Sequence, residues 1–403
     1  MKILMVNKFL FPKGGAETYV LKLGACLQEM GHEVQYFGMD HETRSVGNCI
    51  HAYTDNMDFH KDSTLKKLTY PIRTVYSGQA RRKIRQVLEN FCPDVCHLNN
   101  FNYQLTPSII LEIRKWERES GKSCRIIYTA HDPQLVCPNH MCMNPNTLQV
   151  CEKCFSGNYL HCLKGRCIHG SYARSFLGTV ESALWHHVNV YRQIDTIICC
   201  SHFMKRLLDT DPVLAERTVA MHNFVEHYEK KEVSKKDYVL YFGRYSQEKG
   251  VETLVRVAKA LPQIPFVFAG SGPLEEGMQG VENITNVGFQ SGEALETLIR
   301  EARFSVSPSE GYENCPFSVL ESISLGTPVL GADIGGIPEL ICVGETGDLF
   351  ESGNAEQLKE TVRALWEDTE RMTRYSSNCE NITFDTVHQY TQKLIDTIYS
   401  SAI

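Results

Sequence analysis

The chain has 403 residues, enough for two or three domains, and its 42% apolar and 22% charged residues are ordinary for a soluble globular protein. A formal net charge of −7 argues against nucleic acid as the main partner, which calls for a basic footprint. No apolar run approaches transmembrane length, and the opening MKILMVNKF is too short and lacks the cleavage pattern of a signal peptide, so a cytoplasmic protein is expected.

Residues 2–6 read as a first buried strand, and FLFPKGGAE over 9–17 as a loop with Gly14 and Gly15 at its tip. A helix follows over 18–30 with Tyr19, Leu23, Cys26, Leu27 and Met30 inward; Gly31 ends it, and a strand over 33–37 comes next. The G-x-G-x-x-G turn of a nicotinamide enzyme is absent from this strand–loop–helix unit. The segment 61–85 carries Lys61, Lys66, Lys67, Arg73, Arg81, Arg82, Lys83 and Arg85 against the acid Asp62, interleaved with apolar residues. It reads either as a solvated helix face or as a segment lying on an anionic membrane surface. Strands over 93–99 and 125–130 flank a helix over 105–119, and His131 with Asp132 lies just past the second strand's carboxyl end, where doubly wound domains present their chemistry.

An insert over 137–170 then brings six cysteines: Cys137, Cys142, Cys151, Cys154, Cys162 and Cys167. It has no apolar period and so predicts no core of its own. A C-x-x-C with two later cysteines suits tetrahedral zinc, and Cys137, Cys151, Cys154 and Cys167 are the expected ligands of a structural metal; disulfides are the rival reading. The other ten of the sixteen cysteines sit in contexts such as the apolar run around Cys199 and Cys200, where free thiols pack as small hydrophobes. A helix over 172–191, a strand over 196–200 and a last strand over 219–225 complete a first domain, 1–225; the charged stretch 226–236 reads as a linker.

A second domain, 237–383, opens with a strand over 238–242 followed by Gly243, Arg244 and, after four residues, Lys249-Gly250. A guanidinium fork and an ammonium past a strand end suit a diphosphate. A strand over 266–269 runs into a second glycine turn with Gly272, and Phe289 closes a further turn. The stretch 309–340, SEGYENCPFSVLESISLGTPVLGADIGGIPEL, organises the domain. Glu313 belongs to the loop leaving a strand, and Glu321, eight positions on, to a short helix started by Asn314 and Pro316 and stopped by Gly326 and Pro328. A loop carboxylate, a helix N-terminus and a second carboxylate in series can hold a sugar, a diphosphate and a ribose. Helices over 355–366 and 369–377 finish the domain, and an amphipathic helix is expected within 384–403.

The pair of glutamates separated by seven residues resembles the signature of the retaining family-four glycosyltransferases, and the GG-x-E loop at Gly14 and the GR-x4-KG string at Arg244 are similar to that family's other motifs. The resemblance implies a GT-B α/β fold: two doubly wound, Rossmann-like domains facing a cleft, with the terminal helix crossing back to the first. It implies that Glu313 contacts the transferred sugar and Glu321 the ribose, that His131 hydrogen-bonds the donor sugar, and that Arg244 and Lys249 neutralise the leaving diphosphate. Gly14, Gly15, Gly272, Phe289, Asn314, Phe317, Ser318 and Leu320 complete the implied donor site. Where the family has Gly-Phe-Gly after the first glutamate, this chain has Asn314, Cys315 and Pro316, and proline has no N–H to offer a sugar hydroxyl. The implied partners are a nucleotide-sugar donor and a glycan or lipid-linked acceptor, in bacterial surface polysaccharide synthesis, with no catalytic metal. A nucleotide-sugar epimerase of the same fold and a non-catalytic zinc-containing interaction protein are the alternatives.

Overall fold

The computed structural model describes residues 1–56, 71–231 and 233–400. The chain divides into two compact units, one formed by Met1–His222 with the segment from Val387 onward, the other by Asn223–Thr386.

The first unit is built on a six-stranded sheet: β1 (Lys2–Val6), β2 (Glu33–Phe37), β3 (Val95–Leu98), β4 (Arg125–Ala130), a short hairpin pair β5 (Met143–Asn144) and β6 (Gln149–Val150) outside the sheet, then β7 (Thr196–Cys199) and β8 (Thr218–Ala220). The spatial order is β2-β1-β3-β4-β7-β8, and every pairing is parallel. The apolar runs in these strands follow from burial on both faces: Ile3, Leu4, Met5 and Val6 are all wholly inaccessible. Helix Gly15–Glu29 starts three residues earlier than its apolar period indicates, so Gly14 and Gly15 stand at the helix start rather than at a loop tip. The helix expected to run to 191 stops at His187 and gives way to a 3-10 turn, Val190–Gln193.

Residues 61–70 of the basic segment lie outside the described residues. Three of the described cations that follow are engaged within the unit. Arg81 pairs with the nearly buried Glu112, Arg85 reaches Glu89 at 2.6 Å and Glu119 at 2.6 Å, and Arg73 reaches Asp55 at 3.7 Å. Helix Gly78–Phe91, which carries several of them, turns Ala80, Ile84, Val87, Leu88 and Phe91 into the core.

The cysteine insert does bury a small core, contrary to the expectation from its missing period. Cys154, Tyr159 and Cys162 are buried together, with Cys167 and Ile168 packed against them. The β5–β6 hairpin and the Cys151 N–H bond to the Cys142 carbonyl at 2.7 Å organise it by irregular turns, which leave no periodic trace.

The C-terminal segment belongs to the first unit through a buried polar chain. The Tyr19 and Tyr390 hydroxyls meet at 2.7 Å, Tyr19 also reaches Thr129 Oγ1 at 3.2 Å, and His97 spans Thr129 Oγ1 at 2.7 Å and the Tyr399 hydroxyl at 2.6 Å. The helix expected through this stretch is regular over Val387–Leu394 and widens to a π-turn over Ile395–Tyr399.

The second unit repeats the architecture: β9 (Val239–Arg244), β10 (Phe266–Ser271), β11 (Ile284–Asn286), β12 (Phe304–Ser307), β13 (Val329–Asp333) and β14 (Gly347–Glu351), in the order β11-β10-β9-β12-β13-β14 and all parallel. The stretch expected as a linker belongs to this unit, because its polar groups find partners there. Lys235 donates to Thr327 Oγ1 at 2.7 Å and Lys236 pairs with Glu301 at 2.7 Å; Asn223 and Val225, expected to end the first domain, also fall in this unit, Asn223 Nδ2 donating to the Cys315 carbonyl at 2.9 Å and the Val225 N–H to the Asp385 carbonyl at 2.9 Å.

The polar chain around His97 generates a prediction. Burial pushes His97 from 6.5 down to about 3, so it is neutral in the fold, whereas in the unfolded chain it binds a proton below 6.5. Its contribution is complete above pH 6.5 and is lost as pH falls toward 3. Tyr399→Phe leaves the buried Nδ1 of His97 without its partner and should cost about 1–3 kcal/mol. Urea unfolding across this pH range measures both; a Tyr399→Phe midpoint equal to the wild type's would remove the assigned role.

Candidate functional site

In an open parallel sheet the ligand crevice lies outside the carboxyl ends of the strands, where the direction of winding reverses. In the second unit that reversal falls between β9 and β12. The loop after β9 carries Lys249 and the loop after β12 carries Glu313. Two backbone bonds stitch the loops together, the N–H groups of Glu310 and Gly311 both donating to the Glu248 carbonyl at 2.9 Å. Gly250 is needed at this junction. Its φ is +67°, and a Cβ there would stand 1.8 Å from the Pro308 carbonyl oxygen.

Across the stitch, Lys249 Nζ donates to Glu313 Oε1 at 2.6 Å, and the same oxygen accepts the Ser309 hydroxyl at 2.7 Å. The Glu313 side chain is only 13% exposed and that of Lys249 32%, so this pair is sheltered. Arg244 is set differently. It is 65% exposed and holds Glu248 Oε1 at 2.6 Å, an oxygen that also accepts from the Ser246 hydroxyl. The Gly335-Gly336 turn packs directly on the backbone of Glu313: the Gly336 N–H donates to the Glu313 carbonyl at 2.8 Å, and a Cβ on Gly335 would lie 2.3 Å from that oxygen.

Helix Phe317–Ser324 follows, entered from Pro316 with no side-chain cap, and Glu321 lies inside it. Glu321 comes near Tyr228, whose hydroxyl is pushed up by burial and further by this carboxylate. Asn314 belongs to the loop just before the helix, and Phe317 and Ser318 form its first turn; Leu320 does not offer a side chain to a ligand, being wholly buried in the core. Gly272 lets the loop after β10 lie against the backbone of Tyr245, where a Cβ would meet the carbonyl oxygen at 2.4 Å. Phe289 is 73% exposed.

In the first unit the winding reverses between β1 and β3. Gly14 precedes helix Gly15–Glu29 and its carbonyl accepts from both the Thr18 N–H and hydroxyl. Glu17 of the same motif is buried and accepts from Asn7 Nδ2 at 3.1 Å. His131, past β4, stands 2.9 Å from Asn99 Oδ1, past β3, and its ring meets Tyr19 edge-on at 4.8 Å. Burial pushes His131 down to about 3 and Asp132 up to about 6, so His131 is a neutral imidazole at physiological pH, with Nε2–H directed to the Asn99 carbonyl oxygen. Sequence reasoning marked Glu17 only as part of the GG-x-E motif and missed Asn99 and Ser309. The polar pair ending the β3 run was the only available signal for Asn99.

Cys137, Cys151 and Cys167, expected with Cys154 as metal ligands, lie near enough to Cys154 to raise its thiol beyond the effect of burial. Among the described residues no group of three or more His, Cys, Asp or Glu side chains is placed to hold a metal ion. The thiols bond in pairs instead, Cys137 with Cys142 and Cys162 with Cys167, because the tight turns of the insert bring sequence neighbours together first. Hydrogen bonding from Cys162 holds Cys167 down at about 7.

Residues 13–228 match the family described as Glycosyltransferase Family 4, and residues 224–381 that described as Glycosyl transferases group 1. The chain is similar to alpha-D-kanosaminyltransferase of Streptomyces kanamyceticus, 32% identical over 151 residues, which span 35% of this chain and 39% of that protein. An uncharacterized 42.6 kDa protein in the cps region of Klebsiella pneumoniae is 21% identical over 84% of this chain and 87% of its own length. The fold is similar along the whole of both chains to that of HepE of Anabaena in complex with UDP and glucose, with a TM-score of 0.68 at 19% identity.

The contact between the glycine turn and Glu313 yields a paired test. Gly335→Ala and Gly344→Ala both place a side chain at positive φ, a cost of about 1–2 kcal/mol, but Gly344 has nothing within 4 Å of its added methyl. Gly335→Ala should therefore destabilise the protein further and shift the Glu313 backbone. Equal unfolding midpoints for the two variants would show that the turn does not hold the loop.

Proposed function

The chain belongs to glycosyltransferase family 4, and on that footing we propose that it transfers a sugar from a nucleotide-sugar donor to a glycan or lipid-linked acceptor with retention at the anomeric carbon. Its two parallel-sheet, Rossmann-like units are those of the GT-B class. The observation that carries the reading is the Lys249–Glu313 pair at the β9/β12 switch point, with Arg244 at the end of β9. A cation bonded to the carboxylate that would hold the sugar would lie beside the bond to be broken. Arg244, more exposed and tethered through Glu248, supplies a bidentate fork for the outer phosphate.

In this reading the acceptor hydroxyl oxygen attacks the anomeric carbon as the bond from that carbon to the phosphate oxygen breaks. The hydroxyl proton passes to the departing phosphate oxygen on the same face, and the nucleoside diphosphate leaves with its added negative charge facing Lys249 and Arg244. Glu321 holds the ribose, the helix start at Phe317 and Ser318 faces the diphosphate, and Phe289 borders the base. His131 hydrogen-bonds the sugar as a neutral imidazole, without adding charge. The UDP held by HepE and the cps setting of the Klebsiella relative support a uridine-type donor and a role in surface polysaccharide synthesis. Association with an anionic membrane through the basic segment is part of the proposal, and salt-sensitive vesicle binding is its measure. We propose a structural zinc in the cysteine insert on its density of thiols alone, since the side chains as placed form pairs. Elemental analysis finding on the order of one zinc per chain would uphold it and none would remove it.

Donor turnover tests the main reading. Arg244→Ala and Lys249→Ala should each lower the rate at least about tenfold, since removing one placed charge donor typically costs roughly 10²–10³. Glu313→Ala should reduce turnover more than binding, and Glu321→Ala should weaken donor binding with turnover less affected. Wild-type kinetics in both glutamate variants would sink the assignment of this site.

A further inference from the structure

A second polar site lies at the other end of the second unit's sheet. Lys235, Arg303 and Gly326 precede β9, β12 and β13, so they mark the amino ends of the same strands whose carboxyl ends carry Arg244, Lys249 and Glu313. Between them opens a cavity of about 700 Å³, large enough for a nucleotide-sized ligand. Lys230, Lys231, Lys235, Arg300 and Arg303 line it, against the carboxylates Glu229 and Glu380, in a chain whose net charge is −7.

The cations fall into two groups. Arg300 and Arg303 are fixed in place: Arg300 donates to the Glu229 carbonyl at 2.7 Å and pairs with Glu296, and Arg303 donates to the Trp366 carbonyl at 2.8 Å and pairs with Asp237. Lys231 reaches Glu296 at 3.9 Å. Lys230 and Lys235 make no ion pair among the described residues. Lys235 is exposed as a residue, yet its amine reaches in to donate to Thr327 Oγ1 at 2.7 Å. Burial pushes it down to about 8 against the raising effect of Cys379 and Glu380, with Arg300 adding to the fall. An anion in the cavity would offset the cost of its charge. Hydroxyls of Thr373, Ser376 and Ser377 line the opposite wall, and two buried wall atoms, Ser324 Oγ and Arg303 Nε, have no hydrogen-bond partner.

We propose that this cavity is a second, non-catalytic anion site that takes a ligand bearing a di- or polyphosphate group. Fixed guanidinium groups, two amines without ion pairs and a hydroxyl wall form a combination suited to phosphate oxygens. The ligand is either a soluble phosphorylated metabolite or the headgroup of a phosphate-bearing lipid.

Calorimetric titration with inorganic pyrophosphate tests it in the full chain. The Arg244→Ala/Lys249→Ala variant removes the cations of the proposed donor site, so pyrophosphate binding that survives there belongs to the cavity. Adding Lys230→Ala and Lys235→Ala to that background should weaken the surviving binding at least about tenfold. Lys230→Glu alone, at an exposed side chain that leaves Thr327 untouched, should act in the same direction. Loss of all binding in Arg244→Ala/Lys249→Ala, or undiminished binding in the lysine variants, would overturn the cavity while leaving the transferase reading intact. Sedimentation with vesicles that contain a lipid diphosphate separates the sources. Vesicle binding that pyrophosphate displaces and Lys230→Glu abolishes identifies a headgroup; pyrophosphate binding without vesicle binding identifies a soluble ligand.

Discussion

The second unit's chemistry depends on two parallel strands ending side by side and on their loops being sewn together. The Glu248 carbonyl accepts two N–H groups from the loop after β12, and Lys249 on one loop meets Glu313 on the other at 2.6 Å. Each part fails without the others. Gly250 allows the approach, Ser309 orients the carboxylate, and Gly335 lies against its backbone from the far side. A sheltered ion pair adds little to stability, since desolvation of its members offsets most of their attraction. Its worth here is placement, holding a carboxylate and a cation side by side at a strand-end crevice.

The first unit solves a different problem, that of holding a chain terminus. Tyr19, His97 and Thr129 come from the early part of the chain, Tyr390 and Tyr399 from its end, and all five hydroxyl or ring groups satisfy one another out of water. A buried network of this kind is costly when broken and selective when whole. Tyr19 is also the ring against which His131 rests. The network that ties down the terminal helix therefore orients a residue of the candidate site as well.

The cysteine insert and the basic cavity show how misleading local composition can be. The insert lacks an apolar period, which predicts no buried core, yet it buries a small cluster and brings its thiols together in pairs. The lysines of the stretch 226–236 suggested a solvated linker, yet Lys235 and Lys236 find partners at the amino edge of a sheet and neighbours of theirs line a cavity. For the basic stretch the partner is distant in sequence, as Thr327 is from Lys235, whereas the thiols of the insert pair with near neighbours.

The amino-acid sequence by itself determined the alternation of strands and helices, the parallel class of both sheets, the positions of Glu313, Lys249 and His131 past strand ends, and that of Glu321 in the helix that follows Glu313. These follow from apolar runs, glycine stops and local spacing, all of which act between near neighbours in the chain. It located helix starts only to within a few residues, as at Gly15, because glycines at a helix start carry no apolar period. The tertiary structure alone decided which loops meet. That Lys249 bonds Glu313, that Asn99 receives His131, that Leu320 turns inward and that Tyr399 reaches His97 all depend on strand order. The order is set by how the helices pack on the two faces of each sheet, a choice among arrangements that the same local pattern permits equally.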